Sequence, residues 1–172
     1  CFSSYLRGNM DAIGNEQMVP FAYELAHVEN YVTLERIRFG DKLKVSYQLE
    51  KGRDMDFSVP TLSLQPIVEN AIKYGVGDKR GGGTVYISVR REGEWALIQV
   101  RDDGVGVDAE RLEDVPIRQD GRTHLGLMNV KERVQLMAGG TLSFFSKRDW
   151  GTVVTIKVPW RRCEHENTGC RR

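Results

Sequence analysis

Residues Gln65 to Gly75 read QPIVENAIKYG, and the fold turns on what this stretch is. Pro60 opens a helical pattern that runs from Leu62 through Tyr74 and ends at Gly75, with the stop signal expected of a helix. At about 100° per residue, Pro66, Asn70 and Lys73/Tyr74 project along one face, while Ile67 and Ala71 occupy a neighbouring one. Asn70 offers an amide oxygen and Lys73 a cation one turn later. An oxygen ligand beside a cation suits a magnesium-bound polyphosphate. A capped amphipathic helix carrying a solvated lysine accounts for the same residues.

Working outward, Pro20 to Phe39 reads as a helix with Phe21, Leu25, Val28, Val32 and Leu34 near one face, and Glu24, Glu29 and Glu35 largely elsewhere. Gly40 and Asp41 end it, and KLKVSYQLE from Lys42 alternates like a half-buried strand. A turn-rich stretch follows around Gly52 to Asp54, and Lys79 to Gly83, KRGGG, is a connection. TVYISVRRE and WALIQVRDD form a hairpin at Gly93. From Gly104 to His124 the chain turns polar, with the length and composition of a lid or binding segment. A third helix, Leu125 to Met137, stops at Gly139-Gly140, and the strands TLSFFSKR and TVVTIKVPW close the chain around Asp149 to Gly151. This order predicts an α+β fold, a two-layer α/β sandwich whose mixed sheet carries helices on one face. Before Pro20, CFSSYLRGNMDAIG has a helical pattern weakened by Gly8 and Gly14, as expected of the end of an upstream helix.

The chain has 172 residues, with 25 Lys+Arg against 24 Asp+Glu and a formal net charge of +1. Hydrophobic residues make up 40% and charged residues 28%, an ordinary globular balance that argues against a fully disordered chain. Such balance argues against nucleic acid as a partner and against an electrostatic membrane anchor. No apolar run approaches the roughly 20 residues that span a bilayer. The first residue is Cys1, so the expectation is a soluble fragment of a longer protein. Cys1, Cys163 and Cys170 form no disulfide framework. A zinc reading of Cys163, His165 and Cys170 supplies only three ligands in a polar tail.

Two further clusters carry chemistry. RDDGVGVD, Arg101 to Asp108, brings Asp102 to a strand end, where a carboxylate can accept from an amino group, and Gly104 and Gly106 permit a tight turn or close approach to a ligand. Asp-Gly is equally a common turn pair. HLGLMNVKERV, His124 to Val134, sets Gly126 at a helix start, where free N–H groups favour a phosphate.

In order and spacing, these clusters resemble the nucleotide-binding fold shared by gyrase, Hsp90, histidine kinases and MutL, the Bergerat-type ATP-binding fold. LQPIVENAIKYG, DDGVGV, HLGLMNVKERVQLMAGG and GTVVTIKVP are similar to sensor histidine kinases of the LytS/YesM type, as is the upstream ELAHVENYVTLERIRFGDKL. The resemblance implies three parts: residues 1–40 as the end of a dimerisation and phosphoacceptor region, 41–160 as the ATP-binding catalytic domain, and 161–172 as a polar tail. It implies ATP and Mg²⁺, with Asn70 as the metal ligand and Lys73 on phosphate. By the same resemblance Tyr74 would line the pocket, and Asp102 would hold the adenine amino group with Thr152 supporting it through water. Gly104 and Gly106 would shape the start of the lid, Gly126 and Leu127 would meet the phosphates, and Arg118 and Arg122 are either lid cations reaching a γ-phosphate or solvated loop charges. His124 stands where many relatives have another glycine.

In hydrolytic relatives a glutamate four residues before the asparagine activates water; here that position is Pro66. Glu69 is left as a base or as an orienting residue. The resemblance therefore implies transfer of a phosphoryl group to a histidine and then to the receiver domain of a response regulator. It further implies a homodimer through the chain's own dimerisation helices, and a cytoplasmic domain of a membrane-anchored protein. The acceptor context resembling HFLFN is absent, and His27 in ELAHVENY reads as a surface helix residue. The acceptor is thus expected outside these residues. A stand-alone ATPase or an anti-sigma-type Ser/Thr kinase is the alternative on the same fold.

Overall fold

The computed structural model describes residues 17–49, 55–110, 113 and 122–160, with backbone alone over 122–125. The stub before residue 17, the turn at Gly52 to Asp54, most of the expected lid with Arg118, and the tail with Cys163, His165 and Cys170 lie outside the described residues, as do the side chains of Arg122 and His124.

Strand β1, Met18–Pro20, runs directly into helix α1, Phe21–Phe39. The buried positions of α1 are Phe21, Glu24, Val28, Tyr31 and Val32, spaced three and four apart as a core-facing stripe requires. Glu24 is therefore not on the polar side. It stands on the apolar stripe, because its carboxylate accepts hydrogen bonds from the backbone N–H groups of Leu62 (2.8 Å) and Leu64 (3.1 Å). Gly40, at φ 56°, stops the helix by donating its N–H to the Arg36 carbonyl.

Strand β2 spans Leu43–Leu49, followed by β3, Ser58–Pro60, which pairs antiparallel with β1. Neither of these three-residue strands is legible from alternation, since so few residues carry no period. Helix α2 covers Gln65–Asn70 and continues as a π-helical stretch, Ala71–Val76. The expected uniform α-helix from Leu62 is thus corrected at both ends. Leu62 sits at φ 55°, a left-handed conformation that interrupts the pattern. Beyond Asn70 the turn widens, with the Gly77 N–H reaching the Ile72 carbonyl at 2.7 Å.

Strands β4 (Gly83–Glu92) and β5 (Trp95–Asp102) form the expected hairpin, with Gly93 at φ 61° in its turn. Helix α3, Arg122–Ala138, begins before the expected Leu125. Strands β6 (Thr141–Lys147) and β7 (Gly151–Pro159) follow. The sheet order is β2-β4-β5-β7-β6, parallel between β2 and β4 and antiparallel elsewhere. The parallel pair needs a crossover, and that crossover carries β3 and α2.

One sheet face is apolar: Val85, Ile87 and Val89 of β4, Ala96, Ile98 and Val100 of β5, and Val154, Ile156 and Val158 of β7 are buried. Ile67, Val68 and Ile72 from α2 and its continuation join this core, as do Leu127, Val130 and Val134 from α3, and so do Phe21, Val28 and Val32 of α1. The other face is polar, with Gln99 donating to Thr155 across β5 and β7 (3.1 Å). The fold is the expected two-layer sandwich. Among the described residues no helix is long and apolar enough to cross a membrane.

Phe57 ties the layers together, stacked on Phe21 at 4.9 Å and set against Trp160 at 4.8 Å, with no exposed surface. Phe57→Ala should cost about 3–5 kcal/mol in urea unfolding, the range for a large aromatic removed from a core. An unchanged midpoint would show that this cluster does not close the fold.

Candidate functional site

Strand β5 delivers Asp102 to the end of the sheet, opposite Thr152 of β7 in the ladder. Alternation turns Asp102 inward and Asp103 outward. Asp103 accepts from the Thr84 N–H (2.8 Å), and its carbonyl accepts from Lys79 Nζ (2.6 Å). Asp102 is 2% exposed. Its Oδ1 accepts the Gly104 N–H at 2.9 Å, and its carboxylate also accepts the backbone N–H of Thr152. Burial pushes the carboxyl up to about 6, against the lowering effect of these two N–H donors. Among the described residues no cationic side chain forms an ion pair with it.

The helix end and the strand end meet here without side chains between them. A Cβ at Gly75 would lie 2.5 Å from Asp102 Oδ1 and 2.6 Å from its Cγ, and a Cβ at Gly104 would overlap the backbone of Gly75. The Val105 N–H then donates to the Gly75 carbonyl at 3.2 Å. Gly75 does not end the helix as its sequence position suggests, since the π-helical stretch runs on to Val76; it leaves room for the carboxylate instead.

From Gly104 the chain is held against the β6–β7 hairpin. Gly106, at φ 57°, passes so close to the Lys147 carbonyl that a side chain has no space. The Asp149 N–H donates to the Val105 carbonyl (2.8 Å), the Val107 N–H to Ser146 Oγ (2.9 Å), and Ala109 pairs with Ser146 through their backbones. Ser146 Oγ also lies 2.8 Å from Thr152 Oγ1 and 3.2 Å from the Gly151 carbonyl. Thr152 is thus wired to the loop through Ser146, a residue the motif reading missed. Its signal is a polar side chain on the inward phase of β6, after Leu142 and Phe144.

On α2 the buried positions are Gln65, Ile67 and Val68, continued by Ala71 and Ile72, which leaves Glu69, Asn70, Lys73 and Tyr74 half-buried. Gln65 Nε2 donates to Glu69 Oε1 at 2.8 Å, and Lys73 Nζ contacts Glu69 Oε2 at 3.2 Å. Lys73 also lies 5.9 Å over the ring of Tyr31 from α1. The lysine is therefore aimed by its neighbours rather than solvated at random.

Two expectations shift on α3. With the helix starting at Arg122, Gly126 lies beyond the first four residues, whose N–H groups are the free ones in a helix. Among the described residues, a Cβ at Gly126 would meet nothing within 4 Å. The Leu127 side chain is buried in the core at 4% exposure, which leaves only its backbone for a ligand. His27 lies against the ring of Tyr23, 4.6 Å between centroids. Among the described residues no group of three or more His, Cys, Asp or Glu could hold a metal. A divalent cation at Asn70 would need phosphate and water oxygens to complete its shell.

The family model described as "Histidine kinase-, DNA gyrase B-, and HSP90-like ATPase" matches residues 58–162, and that described as "Histidine kinase" matches 1–43. The chain is 36% identical over 160 residues to the sensor histidine kinase YpdA of Escherichia coli, covering 93% of this chain and 28% of that protein. It is 27% identical over 164 residues to the sensor protein LytS of Streptococcus mutans, again 93% and 28%. The chain thus spans under two thirds of these relatives. Among solved structures, full-length ShkA in complex with AMPPNP superposes with a TM-score of 0.64 at 19% identity, over 87% of this chain and 32% of that one, a likeness of fold.

The buried carboxyl makes stability depend on pH. Folded, Asp102 takes its proton near pH 6; unfolded, near 3.8. Between these values the folded chain holds a proton that the unfolded chain lacks, so the contribution is complete below about pH 4 and lost as pH rises through about 6. Relative to Asp102→Asn, the wild type should lose on the order of 3 kcal/mol across that window in urea unfolding. Parallel curves for the two would show that the carboxylate is not desolvated.

Proposed function

Since this chain belongs to the histidine kinase-, DNA gyrase B- and HSP90-like ATPase family, we propose that it is the ATP-binding catalytic domain of a sensor histidine kinase, transferring the ATP γ-phosphoryl group to a histidine outside these residues. The observation that carries this reading is Asp102: a carboxylate 2% exposed, walled by the Gly75 and Gly104 backbones, with backbone N–H groups as its hydrogen-bond donors. A carboxylate held this way is suited to accept a hydrogen bond from the exocyclic amine of an adenine.

The remaining residues are assigned around that anchor. Thr152 supports the adenine contact, and Tyr74 lines the pocket. Asn70 supplies the amide oxygen for Mg²⁺, which neutralises phosphate charge when bound. Lys73 faces the phosphates, and Glu69 orients it. Both Glu69 oxygens are engaged, by Gln65 and by Lys73, which favours orientation over a role as base. Gly104 and Gly106 hold the start of the loop, and the first turns of α3, with Gly126 and the backbone of Leu127, stand on the phosphate side. Pro66, in place of an acid, favours transfer over hydrolysis. Transfer needs mainly positioning and charge neutralisation.

The proposed division keeps residues 1–40 as the end of the dimerisation and phosphoacceptor region, 41–160 as the catalytic domain and 161–172 as a tail. The proposed partners are the chain's own dimerisation helices, in a homodimer, and the receiver domain of a response regulator. The proposed setting is the cytoplasmic side of a membrane-anchored protein.

Calorimetric titration with Mg·ATP tests the site. Binding is expected at pH 7.5, and Asp102→Asn should weaken it at least about tenfold while the far-UV spectrum stays unchanged. Affinity should also fall about tenfold per pH unit below about 6, as the carboxylate takes up its proton. Unchanged affinity in the variant would overturn the adenine assignment. Steady ATP turnover above about 1 s⁻¹, in the range of working enzymes, would favour the stand-alone ATPase instead.

A further inference from the structure

Glu24 is a buried carboxylate that the assignments above do not use. It is 2% exposed, yet it belongs to α1 and reaches across to a different segment, accepting the N–H groups of Leu62 (2.8 Å) and Leu64 (3.1 Å). Those residues form the bend from which α2 springs. The bend is conformationally demanding, since Leu62 stands at φ 55°, a conformation unfavourable for a side chain with a Cβ. It is also held by α3, where Arg133 donates to the Leu62 carbonyl at 2.9 Å. Just upstream, the Phe21 N–H donates to the Phe57 carbonyl (2.8 Å) and the Thr61 N–H to the Gln17 carbonyl (3.0 Å), so the start of α1 and the approach to α2 are tied by backbone hydrogen bonds.

We propose that Glu24 is a positioning residue for the nucleotide site: its carboxylate fixes the bend at Leu62 to Leu64, and so couples the placement of α1 to that of Asn70 and Lys73 on α2. The inference rests on the nucleotide reading of that site. Hydrogen bonds from backbone N–H groups to an ionised acceptor are among the stronger ones, and removing the acceptor strands the donors in a dry environment. Asn70 and Lys73 follow the bend within one short helix, so a shift of the bend is carried to them along the helix. A second tie has the same direction: Tyr31 of α1 lies under Lys73, 5.9 Å from Nζ to the ring centroid. Glu24 falls in the region matched by the histidine kinase model, 1–43, and Leu62 to Leu64 in the region matched by the ATPase model, 58–162. The contact is thus a joint between two separately recognised modules. Displacement of α1 thus has a direct mechanical route to Asn70 and Lys73.

The test is Mg·ATP affinity in Glu24→Gln, measured well below its melting temperature beside the wild type. Val28→Ala is the control, since Val28 is a fully buried residue of the same helix without a polar contact to the bend. Glu24→Gln should lose about tenfold or more in affinity, as a coupling of ordinary size requires, while the control loses thermal stability but keeps its affinity. Wild-type affinity in a folded Glu24→Gln would overturn the inference. If that variant does not fold, amide hydrogen exchange of the wild type decides. Reciprocity requires Leu62 and Leu64 to gain protection when Mg·ATP binds, and no gain overturns the inference. A wild-type chain that binds no nucleotide would overturn the proposed function, and this coupling with it.

Discussion

A carboxylate at the inner end of a central strand is the constraint around which the molecule is arranged. Asp102 occupies an inward position of β5 beyond Ala96, Ile98 and Val100, where a further apolar residue would serve stability better. Taking a carboxylate out of water is costly unless donors replace its hydration. Here they are the backbone N–H groups of Gly104 and Thr152. Supplying them forces the chain to turn back at Gly104, against a helix end that carries no side chain at Gly75. The loop, the second hairpin and the π-helical end of α2 all converge on that small volume.

A second buried carboxylate performs a different task by the same chemistry. Glu24 is also satisfied by backbone N–H groups and also lies among apolar neighbours, and burial raises its pKa as it does that of Asp102. Asp102, at the end of a strand, presents its carboxylate to the volume beside Gly75. Glu24, in the first turn of α1, is spent on internal architecture. Both are held by main-chain groups, whose positions depend on the fold as a whole. Each is therefore sensitive to shifts in elements distant along the chain.

The long periodic elements were legible in the sequence because each buries one face. Alternation in β4, β5, β6 and β7 and the three-and-four spacing in α1 follow from a single apolar layer between sheet and helices. The glycines at 93, 104, 106 and 139 marked real breaks, whereas the helical stretch runs through Gly75 to Val76. Other features were not legible. Strands β1 and β3 are too short to carry a period, and their pairing joins residues about forty positions apart. The π-helical turn after Asn70 alters the facing of Lys73 and Tyr74 by amounts that an α-helical wheel does not register. Helical spacing sets Glu24 away from the apolar face, although it stands on the stripe set by Phe21 and Val28, because nothing local announces two N–H donors from residues 62 and 64. Ser146 was hidden for the same reason.

The amino-acid sequence by itself determined the layer architecture and the family, and it singled out Asn70, Lys73, Asp102 and the glycines after it as candidates for the site. Those are local properties, carried by periodicity and by motif order. Only the tertiary structure decided what each carboxylate is bound to, where α2 and α3 begin, and how Lys73 is aimed by Glu69 and Tyr31. The physical reason is that hydrogen-bond satisfaction of a buried charge is a long-range condition. Its donors come from whichever backbone the packing of distant apolar residues brings within about 3 Å, and that partnership leaves no mark on the neighbours of the residue in sequence.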